Sequence, residues 1–219
     1  MITRRLIFAA LLVLGGSAVA ENKEYLQRGE RHRTAQYEIE YDRAVRHVLS
    51  RAWRSDVVLR LVDIPPFERE WAVGISRSPA GYTAFVTIVA PPDSVWYALG
   101  FGAGAPRPNR SAYRRLRPIL IKKAIPERTA ARVAALWRRV LTDPGNYRVD
   151  SAIYLDSDQF SYHLAFAPRE RVSAWTRGPG AKTKQLLKVA YAVSAYAEGL
   201  QSEGKLLEVI AKAERKVGI

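Results

Sequence analysis

Apolar residues recur along this chain in two rhythms, and the changes of rhythm mark its elements. Tyr41, Ala44, Val45, Val48, Leu49, Ala52 and Trp53 keep the i, i+3, i+4, i+7 spacing of an amphipathic helix, with Arg43, Arg46, His47, Ser50 and Arg54 on the other side. Val57 to Ile64 is a nearly continuous apolar run stopped by Pro65 and Pro66, and it predicts a strand, because proline cannot donate to a ladder. Trp71 to Ser76 and Tyr82 to Ala90 predict a hairpin turning around Ser78-Pro79-Ala80-Gly81, its second arm rich in β-branched and aromatic residues. Val95 to Leu99 is expected as a short further strand, and Gly100 to Ser111 as a loop.

Ile119-Leu120-Ile121 predicts a buried strand or an edge piece. Pro126 then stands where the first turn of a helix tolerates proline. Ala130, Val133, Ala134, Trp137, Val140 and Leu141 supply that helix's apolar face, and Asp143-Pro144-Gly145 closes it. A second hairpin is expected from Ala152–Leu155 and Phe160–Phe166, turning at Asp156-Ser157-Asp158. Two helices end the chain. One, from Thr183 to Ala197, buries Leu186, Leu187, Ala190, Tyr191 and Ser194; the other, from Lys205 to Lys216, buries Leu206, Leu207, Ile210 and Ala213. The order is helix, strands, helix, hairpin, two helices. It predicts an α+β fold, an antiparallel sheet with amphipathic helices packed on one face.

Composition adds a compartment. Arg4 and Arg5 precede an apolar run from Leu6 to Gly16, and Ala18 and Ala20 offer small residues at an A-x-A cleavage site. Residues 1–20 are therefore expected to be a signal peptide cut after Ala20, giving a periplasmic or secreted protein. The run is shorter than the roughly 20 apolar residues of a spanning helix, and no other stretch is long and apolar enough to cross a bilayer. Thr3-Arg4-Arg5-Leu6 loosely resembles a twin-arginine signal, but the short head and leucine-rich middle fit ordinary unfolded export better. Residues 21–36 are polar and expected as a flexible mature N-terminus, and residues 37–219 as a single α+β domain. The chain contains no cysteine, which closes lipoprotein anchoring, disulfides and thiolate metal sites.

The formal charge is +14, and it is unevenly spread. Between Arg107 and Arg139 stand eleven basic residues against one acid, Glu127, so this block carries +10 of the +14. Arginine's planar fork suits phosphate and carboxylate. Arg114, Arg115, Arg117, Arg128, Arg132 and Arg139 are the expected anion or partner contacts, the last three forming a solvent-facing stripe opposite Val133 and Trp137. Arg177 and Lys182, around a glycine-rich entry to a helix, are a second expected anion site. The alternative is that arginine merely fills exposed positions.

Several chemistries fail on spacing. The three histidines, His32, His47 and His163, show no ligand spacing, and there is no G-x-S-x-G elbow. Gly180-Ala181-Lys182-Thr183 lacks the glycines of a phosphate loop, and Pro106 and Pro108 spoil a dinucleotide fingerprint after Gly100. Neither a cofactor nor a metal is expected. Ser161 and His163 share a strand face, with Asp156 or Asp158 nearby, so a hydrolytic site is conceivable there. Glu68 and Glu70 form another paired-carboxylate candidate. Asp156 and Asp158 could also bind calcium, though two carboxylates without a longer pattern are usually a turn.

Val58-Leu59-Arg60-Leu61-Val62-Asp63-Ile64-Pro65, Trp71-Ala72-Val73-Gly74-Ile75, Leu155-Asp156 with Phe160, and Ala174-Trp175-Thr176 together resemble a group of small exported bacterial proteins with no assigned activity. The chain departs from that pattern at Ser157 and at Thr176-Arg177. The resemblance implies an exported α+β domain and transfers no site. The leading expectation is a binding module for an anionic envelope polymer, a lipid surface or an acidic protein. Nucleic acid is disfavoured by export and by the absence of a reading module. The alternative is a small hydrolase acting on an envelope polymer.

Overall fold

The computed structural model describes residues 26–29, 35–65, 68–91, 93–101, 111–147, 159–167 and 170–219. Seven strands form one sheet: β1 (Gln27–Arg28), β2 (Val57–Ile64), β3 (Trp71–Ser78), β4 (Gly81–Val89), β5 (Pro118–Ile125), β6 (Gln159–Ala167) and β7 (Glu170–Thr176). Their order is β1-β7-β6-β2-β3-β4-β5, and every neighbouring pair is antiparallel. The helices are α1 (Gln36–Val48), α2 (Val95–Ala98), α3 (Glu127–Thr142), α4 (Ala181–Ala197) and α5 (Glu203–Val217). The fold is α+β, as the alternating and helical periods imply.

The placement of the helices differs from the expectation of one covered face. Leu59 and Leu61 of β2 join a core with α3, α4 and α5, built around Trp137, Leu186 and Ile210. Val62 of the same strand joins a second core on the opposite face, with Tyr41, Ala44 and Val45 of α1. On β4, Ala84 and Val86 point to the first core and Phe85 to the second. The physical reason lies in the central strands. A strand buried on both faces loses the apolar-polar alternation that would reveal which side is covered.

Other elements depart locally. Val95–Ala98 is a helix, not a strand: Ser94 Oγ accepts from the Tyr97 N–H at 3.2 Å, and Glu70 accepts from the two preceding amides. A serine N-cap and a carboxylate together satisfy the donors a helix start exposes. The helix around α1 stops at Val48 and tightens into a 3₁₀ turn over Ser50–Trp53. Ile119 and Leu120 lie on β5, an edge strand, where both are exposed. Tyr191, expected inside, is 47% exposed, its ring against that of Trp71. Phe160–Phe166 falls in β6, whose two edges are taken by β2 and by β7, the latter not anticipated as a strand. The arm expected at 152–155 lies outside the described residues, as do residues 1–20.

Within the segment 21–36, residues 26–29 run along the sheet, and Gln36 begins α1. Leu26 is fully buried, its N–H donates to the Asn146 carbonyl at 3.2 Å, and β1 pairs with β7.

Close packing in the centre sets one strict requirement. A Cβ at Gly74 would stand 2.5 Å from the Leu59 carbonyl oxygen and 2.7 Å from the Phe85 ring, with backbone on one side and a buried aromatic on the other. Gly74→Ala should therefore destabilise the protein by about 2 kcal/mol. The check is the midpoint of urea unfolding; an unchanged midpoint would mean that Phe85 can move aside.

Candidate functional site

The expected basic stripe divides once the helices are in place. Arg132 Nε and Nη2 donate to the two carboxylate oxygens of Glu214 on α5, at 3.0 and 2.5 Å. This fork holds α3 to α5. Arg128 remains largely exposed but lies 3.8 Å from Glu203, which also accepts from the Thr129 hydroxyl at 2.6 Å. Arg139 is exposed near the end of α3, and Arg114, Arg115 and Arg117 are exposed where the chain enters β5. Helical spacing sets the three arginines on one stripe, and at Arg132 that stripe meets α5 rather than open water.

The second expected anion site is also partly occupied. Lys182 Nζ donates to Asp143 Oδ2 and to Asn146 Oδ1, both at 3.0 Å, tying the start of α4 to the turn after α3. Arg177 is half-buried just upstream, beside Thr176, whose hydroxyl accepts from the Gly178 N–H at 3.1 Å.

The sheet face under α1 carries the polar residues of β6. Ser161 and His163 share that face, as their spacing requires. His163 Nδ1 lies 2.9 Å from Ser173 Oγ across the β6–β7 register, and Arg60 is its register partner on β2. The Arg60 guanidinium donates to the Ala52 carbonyl at 3.1 Å and lies over the Trp53 ring, as does that of Arg46. Asp42, Arg46, Arg60, Ser161 and Ser173 border a cavity of about 30 Å³. That is room for about one water molecule. Asp156 and Asp158 lie outside the described residues.

Glu68 and Glu70 do not form a carboxylate pair. Glu68 is exposed, whereas Glu70 is fully buried before β3. Glu70 accepts from the Tyr41 hydroxyl at 2.6 Å, the Val95 N–H at 2.8 Å and the Trp96 N–H at 3.2 Å, so it joins α1, α2 and the sheet. Burial pushes its carboxyl above the ordinary 4.5, against the pull of those three donors. Its alternation with Glu68 in sequence hid a difference in depth.

One concave site was not anticipated. Between α4 and α5 runs an open groove of about 490 Å³, lined by Gln185, Lys188, Tyr191, Val209, Lys212, Arg215 and Lys216. Lys188 and the three cations of α5 lie outside the expected anion contacts. The available signal was that α4 contains three lysines and no acid. The acids of α5 have partners outside the groove lining: Glu203 meets Thr129 and Arg128, Glu208 pairs with Lys205 at 2.8 Å while also feeling the charge of Lys212, and Glu214 holds Arg132. Among the described residues, none of the four groove cations forms an ion pair. Also among the described residues, no cluster of His, Asp or Glu could hold a metal, and no helix is long and apolar enough to cross a membrane.

Four variants test these assignments. Glu70→Ala, which strands three donors, should cost about 3 kcal/mol, while Glu68→Ala stays within about 0.5 kcal/mol. Since the folded value of Glu70 is raised, its contribution to stability is complete below pH 4.5 and is lost as pH rises through the folded value. Glu70→Gln should remove that slope from a pH series of urea midpoints. Lys182, with the Gly145 N–H, holds the Asp143 carboxyl below its ordinary 3.8. Asp143 therefore adds stability above pH 3.8 that is lost as pH falls through the lowered value. Lys182→Met should be less stable than the parent above pH 3.8 and converge with it in stronger acid.

Compared with protein-family models, with curated proteins and with solved structures, the chain matches none.

Proposed function

We propose that the chain is an exported binding module that engages an anionic envelope component or an acidic protein through surface cations. The observation that carries this reading is the α4–α5 groove, which Lys188, Lys212, Arg215 and Lys216 line, while the acids of α5 hydrogen-bond or pair with groups outside that lining. Four cations lining one groove, with only Glu208 acting on one of them (Lys212), leave a local positive potential that attracts anions and is screened by salt. The exposed Arg114, Arg115 and Arg117 add a second basic surface at the start of β5. Arg132 contributes less, being committed to Glu214.

A hydrolytic reading centred on His163 has the 2.9 Å contact with Ser173 in its favour. Against it, the adjoining cavity of about 30 Å³ is too small for a polymer segment, and a cross-strand Ser–His hydrogen bond is an ordinary way for neighbours on one sheet face to meet.

The test is binding of the chain from Glu21 onward to lipopolysaccharide, anionic vesicles and a soluble polyanion, at low and physiological salt. The parent should bind one or more of them in a salt-sensitive way. Lys188→Glu/Lys212→Glu should weaken that binding by roughly tenfold, Arg114→Glu/Arg115→Glu/Arg117→Glu by less, and His163→Ala not at all. Equal binding by the folded groove variant would move the contact surface elsewhere, and no binding to any of the three would overturn the reading.

A further inference from the structure

The cations of the α4–α5 groove stand around a floor that a purely ionic site would not need. Tyr191 and Val209 form its apolar part, together with the aliphatic stems of the flanking lysines, which can cover apolar surface while their ammonium groups stay in water. Tyr191 is among the few large aromatic residues left half in solvent, and it sits one helical turn from Lys188 on α4. Across the groove, Val209 stands one turn before Lys212 on α5, with Arg215 and Lys216 a further turn on. Apolar and cationic positions thus face each other in the same sense on both walls.

The size of the site selects among anionic partners. A stable protein interface uses about 20–30 residues a side, and this groove is lined by seven. A volume of about 490 Å³ falls among sites for small ligands, roughly 300–1,000 Å³. A simple polyanion would use the rim and not the apolar floor of Val209 and Tyr191, the latter also packed on Trp71. Arg215 offers a planar fork, and Lys188, Lys212 and Lys216 line the same groove, a set that matches the charge and several acceptors of a phosphate ester better than a single carboxylate.

We infer that the groove between α4 and α5 binds a single-chain lipid with a phosphate headgroup, its chain against Tyr191 and Val209 and its phosphate among Lys188, Lys212, Arg215 and Lys216. This rests on the proposed anion-binding function and names the ligand class for its main site. The engagement of Glu214 by Arg132 acquires a purpose in this setting. It keeps the carboxylate next to Arg215 occupied on the α3 side, away from the lipid phosphate.

The experiment is calorimetric titration of the chain from Glu21 onward with dodecyl phosphate below its micelle-forming concentration. Decyl and octyl phosphate, inorganic phosphate and uncharged dodecyl maltoside serve as comparisons. Saturable one-to-one binding of dodecyl phosphate is expected, weakening by up to about fourfold for each methylene removed from the buried part of the chain. Inorganic phosphate and dodecyl maltoside should each bind at least tenfold more weakly. Lys188→Glu/Lys212→Glu, whose fold is checked by circular dichroism, should lose binding at least tenfold, and Tyr191→Ser should lose the dependence on chain length while retaining the weak phosphate response. Binding that is independent of chain length, unaffected by the charge reversals, or matched by dodecyl maltoside would overturn the inference. If the charge reversals abolish polyanion binding while dodecyl phosphate is not taken up, the lipid assignment fails and the anion-binding function stands. If neither class of ligand binds, both fail.

Discussion

Strands β2, β3 and β4 carry apolar side chains to both faces of the sheet, and the rest of the molecule answers to that constraint. Leu61 and Val62 are successive residues, both buried, so neither surface can be left to water. Burial of this kind is the main favourable term in folding, and here it requires a helical layer on each side. The layer formed by α3, α4 and α5 supplies Trp137, Leu186 and Ile210; α1 and the short α2 close the other face over Phe85 and Val62. The absent side chain at Gly74 is a consequence of the same crowding, since Phe85 lies where a Cβ would stand. Even the buried carboxylate of Glu70 belongs to this arrangement: it receives the first amides of α2 and the hydroxyl of Tyr41, so the thinner layer is held as a unit.

Charge is distributed by a complementary logic. The chain has 35 lysines and arginines against 21 acids, and several of the acids serve inside the architecture. Asp143 anchors Lys182, Glu214 anchors Arg132, Asp56 receives Arg51, and Glu70 holds α2. Acids used in this way are unavailable to neutralise the surface. The excess positive charge consequently gathers where no structural carboxylate is left over, most clearly along α4, which contains none.

How much of this could be read beforehand depended on whether neighbours in sequence decided the outcome. The bounds of β2, Val57 and Ile64, were legible because two prolines follow it. The apolar face of α3 was legible because Val133, Trp137 and Val140 repeat at helical spacing over about two turns. By contrast, α2 is four residues long, too short to show a period, and its conformation is fixed partly by Glu70, far upstream. Strand β7 was missed because Arg171 and Ser173 break its apolar run with polar residues. For the candidate site, the positions of Arg128, Arg132 and Arg139 on one angular stripe followed from the helix itself, whereas the capture of Arg132 by Glu214 depended on a helix more than 80 residues away in the chain. The groove was invisible for the same reason. It is made by the relative placement of two helices, and neither helix alone contains it.

The strand order also has a kinetic side. One edge of β2 pairs with β3, its neighbour in the chain, while the other pairs with β6, so that Leu59 stands between Ile75 and Leu164. Contacts that span so much chain form slowly, because a large loop must close before they reward it. A chain emerging from its N-terminal end can build β2, β3, β4 and β5 while the outer edge of β2 is still bare, and it remains so until β6 arrives. During that interval the half-sheet exposes both a row of unpaired backbone groups and apolar side chains, a surface prone to capture by other chains. The long-range register of a single central strand thus sets the period in which this molecule most needs an attendant chaperone or dilution.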